Sequence, residues 1–167
     1  MHRRRHLRTA ALSGALAALC STGCTIEERT DRGAEPGEST RREIIQPEGV
    51  ARLPVFSSAV RSGDFIFLSG QLGALPGVNP PQLVEGGIEA ETRQTFANIS
   101  AVLEAAGATL ADIVKCTVYL VDIDDYAAMN AVYIEYFPDD PPARAAVAGS
   151  GLALGARVEI DCIAAAP

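Results

Sequence analysis

The sequence predicts an α+β fold in one compact domain. Three features carry the prediction: a long helical period ending at a glycine, short β-rich runs on either side of it, and a length suited to a single core. At 167 residues with 48% hydrophobic content, the chain has apolar surface for one continuous core and too little sequence for two domains.

The folded part is expected to begin at Ile44. Val55–Val60 and Phe65–Ser69 are short β-rich runs separated by Arg61-Ser62-Gly63-Asp64, the pattern of a hairpin. Gly70 to Gly73 and the Pro/Gly/Asn-rich stretch from Pro76 to Gln82 read as loop. Ile88, Thr92, Phe96, Ile99, Val102, Leu103 and Ala106 then recur at three- and four-residue steps before Gly107, which predicts the strongest helix of the chain. Thr109 to Asp112 makes a capped turn, and Ile113 to Val121 is β-branched and aromatic enough for a central strand. A second helix is expected from Asp122–Asp125 through Phe137, stopped by Pro138. Ala143–Ala148 and Arg157–Ala164 complete the order β-β-α-β-α-β-β, a mixed sheet with two helices packed on one face.

Residues 1–23 stand apart from that core. Arg3, Arg4, Arg5 and Arg8 precede the apolar run Ala10–Leu19, the order of a secretory signal, and the run is shorter than the roughly 20 residues of a spanning helix. Ser21-Thr22-Gly23 leads into Cys24 as in a bacterial lipobox, although Ser21 stands where such a signal usually has leucine. Lipidation of Cys24 and simple cleavage between about Ala17 and Gly23 both remain open. Residues 24–43, rich in charge with Gly and Pro, read as a flexible tether, leaving 44–167 as the domain. The expected location is outside the cytoplasm, periplasmic or held to a membrane through lipidated Cys24.

With the signal removed, ten basic residues face twenty-one acidic ones, a formal charge of −11, which excludes a polyanion such as nucleic acid as a natural partner. The only histidines, His2 and His6, lie in the export segment, so the domain can build neither a Ser-His-Asp nor a Cys-His site, and zinc loses its usual ligand. Lys115, the only lysine, reads as a surface residue at a strand start. A 116–162 disulfide is possible in an oxidising compartment, but both cysteines lie in apolar runs, where a buried free thiol is the commoner outcome and the one expected here.

Strand alternation sends Val158, Ile160 and Cys162 to one face and Glu159, Asp161 and Ile163 to the other. Arg144 stands among alanines and valine and needs a partner, because an unpaired buried guanidinium costs several kcal/mol. Two partners are open: Glu159 in a structural ion pair, or a ligand carboxylate gripped bidentately while Glu159 orients water.

Pro142-Ala143-Arg144, Leu68-Ser69-Gly70-Gln71, Gly86-Gly87-Ile88 with Gln94 to Leu103, Lys115 to Leu120, Met129 to Tyr133 and Val158-Glu159-Ile160 together resemble the RidA (YjgF-like) reactive-intermediate deaminases, in order and spacing over residues 44–164. The resemblance implies a chorismate-mutase-like fold assembled as a homotrimer with pockets between subunits. It also implies hydrolysis of small enamines and imines to 2-oxo acids and ammonia, a deaminase of the 2-iminobutanoate/2-iminopropanoate type that needs no cofactor and no metal. By the same resemblance Arg144 holds the substrate carboxylate, Glu159 attends the catalytic water, Gly70 lines the pocket with backbone, and Asn130 supports its wall. The pocket positions depart from the family pattern at Phe56, usually tyrosine, at Ser58, often glutamine, and at Ala145-Ala146, commonly Ser-Cys. A trimeric binder of small carboxylates without turnover is the alternative function.

Overall fold

The computed structural model describes residues 42–48, 50 and 54–167. The basic head, the apolar run, Cys24 and all but the last two residues of the tether lie outside the described residues.

Among the described residues, one seven-stranded mixed sheet carries two helices on one face. Its strands are β1 (Glu43–Ile45), β2 (Ala59–Ser62), β3 (Phe65–Leu68), β4 (Gln71–Leu72), β5 (Ile113–Leu120), β6 (Ala143–Ala148) and β7 (Val158–Ala165), in the spatial order β1-β2-β3-β7-β5-β6, with β4 also on β7. Only β5 and β6 run parallel, and α2 (Tyr126–Tyr136) makes the crossover that a parallel pair requires. The other helix, α1 (Gly87–Ala105), starts where Gly86 and Gly87 both take positive φ, a conformation open to glycine that turns the chain sharply into the helix.

The expected elements are present, except that Val55–Ser58 stays outside the first hairpin strand, which runs over Ala59–Ser62, and two strands are added. Glu43–Ile45 pairs with β2, and Gln71–Leu72, read as loop, pairs with β7 at Ile160 and Glu159. A two-residue strand is below the length at which alternation can be seen in a sequence. The hairpin turn tightens to Gly63-Asp64, because Arg61 and Ser62 pair with Ile66 and Phe65.

The core lies between sheet and helices. Thr92, Thr95, Phe96, Ile99 and Leu103 of α1 are fully buried, and Phe96 stacks on Tyr136 of α2 with ring centroids 4.4 Å apart. Beneath them Ile66, Val118, Leu120, Val158 and Ile160 are equally buried. Burial along β7 alternates strictly, so Val158, Ile160 and Cys162 face the helices while Glu159, Asp161 and Ile163 face away, as the alternation predicted. Phe65, Phe67 and Val147 are exposed on strands, and Phe65 and Phe67 belong to this helix-free face.

The expectation of free thiols at Cys116 and Cys162 is corrected: the two are bonded, with an S–S distance of 1.97 Å and Cα atoms 4.1 Å apart. They sit directly opposite one another on antiparallel β5 and β7, and both side chains point to the core. That pairing register depends on where two distant strands meet, which an apolar run does not reveal.

Candidate functional site

Arg144 lies on β6, an edge strand, with its half-buried side chain turned to the helix side. Its Nη2 donates to the Tyr126 hydroxyl at 2.9 Å, and its guanidinium lies 4.4 Å from the centroid of the Tyr133 ring. Helical spacing explains the pair: Tyr126, Asn130 and Tyr133 fall on one stripe of α2, which the crossover lays against β6. Asn130 is half-buried on that stripe, and Ala146 follows Arg144 on the same side of β6, packed against the core. The Tyr133 hydroxyl is buried without a hydrogen-bond partner. Burial raises its pKa, while the Arg144 charge acts in the opposite sense.

Glu159 occupies the other face. Its register partner on β5 is Tyr119, and on β4 Leu72. Gly70 makes room for it: a Cβ at that position would fall 1.9 Å from Glu159 Oε1, so any side chain there would displace the carboxyl. Burial first, and the charge of Asp161 second, hold the Glu159 carboxyl above the usual range. Asp161, two residues on along the same face, accepts a hydrogen bond from the Tyr119 hydroxyl at 3.0 Å.

Phe56, half exposed, lies on the segment that leads into β2. Ser69 N–H donates to the Ser58 carbonyl at 3.0 Å and Ser69 Oγ to the Ser57 carbonyl at 2.7 Å, which ties the segment carrying Phe56 to the residue before Gly70. A cavity of about 640 Å³ opens there, lined by Arg42, Phe56, Ser57, Val60, Phe67 and Ser69. Ser58 turns to the Gln46 amide, with Oγ donating to Oε1 at 3.3 Å.

The structural Arg144–Glu159 ion pair is therefore corrected. Arg144 pairs in register with Cys116, on the helix side, and Glu159 with Tyr119, on the opposite side. No ion pair among the described residues joins them. The candidates instead form two half-sites: Arg144, Asn130 and Ala146 at the β6 edge, and Glu159 with Gly70 on the helix-free face, while Phe56 lines the cavity that reaches Ser69.

Partly buried polar bonds fix both halves to the scaffold. Asn98 Nδ2 of α1 donates to the carbonyls of Leu72 and Ala74 at 2.9 and 2.8 Å, which holds β4 beside Glu159. The buried Glu91 carboxylate accepts the Arg157 backbone N–H at 2.8 Å, and the Arg157 guanidinium bonds both oxygens of Asp125 at 3.0 and 2.6 Å, joining the start of β7 to the start of α2. Tyr126 and Tyr133 escaped the sequence reading, although their i and i+7 spacing around Asn130 was a usable signal. Lys115 is exposed, as expected.

The family model described as Endoribonuclease L-PSP matches residues 49–166. A RutC family protein of Pyrococcus horikoshii is 43% identical over 124 residues, covering 74% of this chain and 97% of its own length. A 2-iminobutanoate/2-iminopropanoate deaminase of Capra hircus is 44% identical over 124 residues, covering 74% of this chain and 89% of its own. Among solved structures, RidA from an Antarctic Psychrobacter superposes with a TM-score of 0.67 at 39% identity, covering 74% of this chain and 98% of that one.

Proposed function

The chain belongs to the endoribonuclease L-PSP family, that of the RidA (YjgF-like) proteins, and on that premise we propose that it hydrolyses small amino-acid-derived imines and enamines to 2-oxo acids and ammonia. The observation that carries the reading is the presentation of Arg144 at an open sheet edge. Tyr126 and Tyr133 fix its plane while leaving donors of the guanidinium fork free for a carboxylate.

With the carboxylate held, the C=N carbon of an imino acid is already electrophilic, so positioning, a base and a water suffice. Glu159 takes a proton from water as its oxygen bonds to that carbon. The same proton passes to nitrogen, giving a carbinolamine; Glu159 then takes the hydroxyl proton as the carbonyl forms and passes it to the amino nitrogen, so the C–N bond breaks and ammonia leaves. An enamine first gains a proton on carbon to give the imine.

Because Arg144 and Glu159 lie on opposite faces of one sheet, the pocket in this reading is completed by a second copy of the chain. The exposed Phe65 and Phe67 supply apolar surface for such a contact, and the family resemblance supports a homotrimer. Export belongs to the same reading. The basic head and apolar run support it, and the Cys116–Cys162 bond accords with an oxidising compartment.

The test is release of ammonia and 2-oxo acid from freshly generated imino acids, and no rate above buffer for any member of a panel would end the proposal. Saturable binding of 2-oxo acids with zero turnover would select the non-catalytic binder instead. Glu159→Gln is expected to lower kcat about a hundredfold and leave KM within about twofold, since it removes the base and not the carboxylate grip.

The same variant carries a pH signature in stability. The folded carboxyl of Glu159 has a raised pKa, so its contribution is fully present below the unfolded value of about 4.3 and is lost as pH rises through the folded value. Glu159→Gln is therefore expected to melt roughly 1–3 °C above the wild type at pH 7.5 and level with it near pH 4. Thermal melts at the two pH values check this, and an equal difference at both would contradict it.

Tyr126→Phe keeps the ring beside Arg144 but removes the hydroxyl that fixes Nη2. The expected result is a KM about three- to tenfold higher with kcat nearly unchanged, read from steady-state kinetics.

A further inference from the structure

Glu159 is the single side chain assigned to move protons in this mechanism, and its surroundings on the helix-free face are sparse in charge. From β5 it meets Tyr119 directly, with Lys115 four residues back along the same strand. On β7 the near ionisable group is Asp161. β4 offers Gln71 and Leu72, β3 presents Phe65 and Phe67, and the loop contributes Gly70, none of them charged. Successive same-face residues on a strand stand about 7 Å apart, close enough for the Asp161 charge to act on the Glu159 carboxyl at a half-buried surface.

Asp161 is not a free-swinging surface acid. The Tyr119 hydroxyl donates to its Oδ2 at 3.0 Å, and Tyr119 is itself the register partner of Glu159. One phenol thus spans the two carboxyls, bonded to one and packed beside the other. The bond to the Asp161 carboxylate first, and desolvation second, raise the Tyr119 pKa, so the phenol remains a donor throughout the neutral range.

We propose that Asp161, held in place by Tyr119, is a positioning residue for the reaction, keeping a second negative charge beside Glu159 so that this carboxyl is basic enough to take the proton of the attacking water. The inference rests on the deaminase reading and deepens it. A carboxylate left alone at the surface is a weak base at neutral pH, and a neighbouring charge strengthens it without touching substrate. The Arg144 guanidinium that a second copy brings to the completed pocket acts in the opposite sense. It is common to every variant compared below, so it cancels from the differences.

The experiment compares Asp161→Asn, Asp161→Glu and Tyr119→Phe with the wild-type full chain, by pH–rate profiles and by carbon-13 titration of the Glu159 carboxyl. Asp161→Asn is expected to move the ascending limb of the kcat profile to lower pH and to cut the plateau kcat about three- to tenfold, with KM unchanged. Tyr119→Phe should give a smaller change of the same sign, and Asp161→Glu, which restores the charge, should recover most of the plateau. In the titration the Glu159 midpoint should fall in Asp161→Asn. A midpoint that stays or rises overturns the proposal, and so does a lowered midpoint without loss of kcat. A wild-type chain without turnover sinks the deaminase reading separately, and the titration still decides the electrostatic claim. Should Asp161→Asn fail to fold, Tyr119→Phe alone carries the same test, and an unshifted profile in that variant overturns the proposal.

Discussion

Arg144→Ala is expected to lower kcat/KM for imino-acid hydrolysis about 10²- to 10³-fold, mostly through KM. Truncating one partner of a hydrogen-bonded charge pair costs about 2–5 kcal/mol, and a tenfold change in rate corresponds to about 1.4 kcal/mol. The local geometry says why the effect should be large. Tyr126 takes one nitrogen of the guanidinium and the Tyr133 ring lies against its face, so the fork is oriented before any ligand arrives and little ordering remains to oppose binding. Arg144→Lys keeps the charge and loses the planar fork, and should recover no more than about a tenth of the wild-type value. The stability of the domain should barely change, because Arg144 is half-buried at an edge strand and no ion pair of the described residues depends on it. Steady-state kinetics on both variants, beside light scattering for assembly, separates the alternatives. A variant that falls apart into single chains, and regains wild-type KM at concentrations where it assembles, would show that Arg144 serves the contact between copies and not the ligand.

The sequence revealed the fold wherever periodicity was long and revealed little of how distant strands register. The helix around Phe96 and Leu103 spans five turns, and its apolar steps fixed both its limits and its buried face. The strand Val158–Ala165 showed its two faces by alternation alone, which placed Glu159 and Asp161 together and Cys162 apart from them. Gln71–Leu72 was hidden, because its strand character comes from pairing with β7 and not from its own two residues.

The site was half legible for the same reason. Arg144 and Glu159 were each found from chemistry, one as a charge among alanines and the other as an acid on an alternating strand. Their relation was not, since it depends on the register of β5 against both β6 and β7. Once Arg144 aligns with Cys116 and Glu159 with Tyr119, their register positions lie an odd number of steps apart along β5, and the pleat puts them on opposite faces. The same register that separates the two candidate residues brings Cys116 and Cys162 together.

Removing that bond is the second change expected to have a large effect. The cross-link joins residues 46 apart in sequence, and closing a loop of that size in the unfolded chain corresponds to about 4 kcal/mol in the chain-entropy account. The Cys116→Ala, Cys162→Ala double variant is accordingly expected to melt roughly 10–15 °C lower. Alanine also leaves empty volume in a fully buried position, so the wild type refolded with its thiols kept reduced is the companion measurement: it retains the sulfur atoms and lacks only the bond. If the cross-link carries the effect, both forms fall together. If packing carries it, the reduced protein melts near the oxidised one and only the double variant falls. Peptide mapping without reduction, on protein recovered from an oxidising compartment, should find the Cys116 and Cys162 peptides joined, and finding both as free thiols would contradict the pairing. The bond also bears on the site. Cys116 is the register neighbour of Arg144, and Cys162 follows Asp161 on β7, so the link pins the strand that carries Glu159 to the strand beside Arg144. Loss of stability in the reduced form should therefore be accompanied by a higher KM, measured below the melting transition, as the strand beside Arg144 loosens.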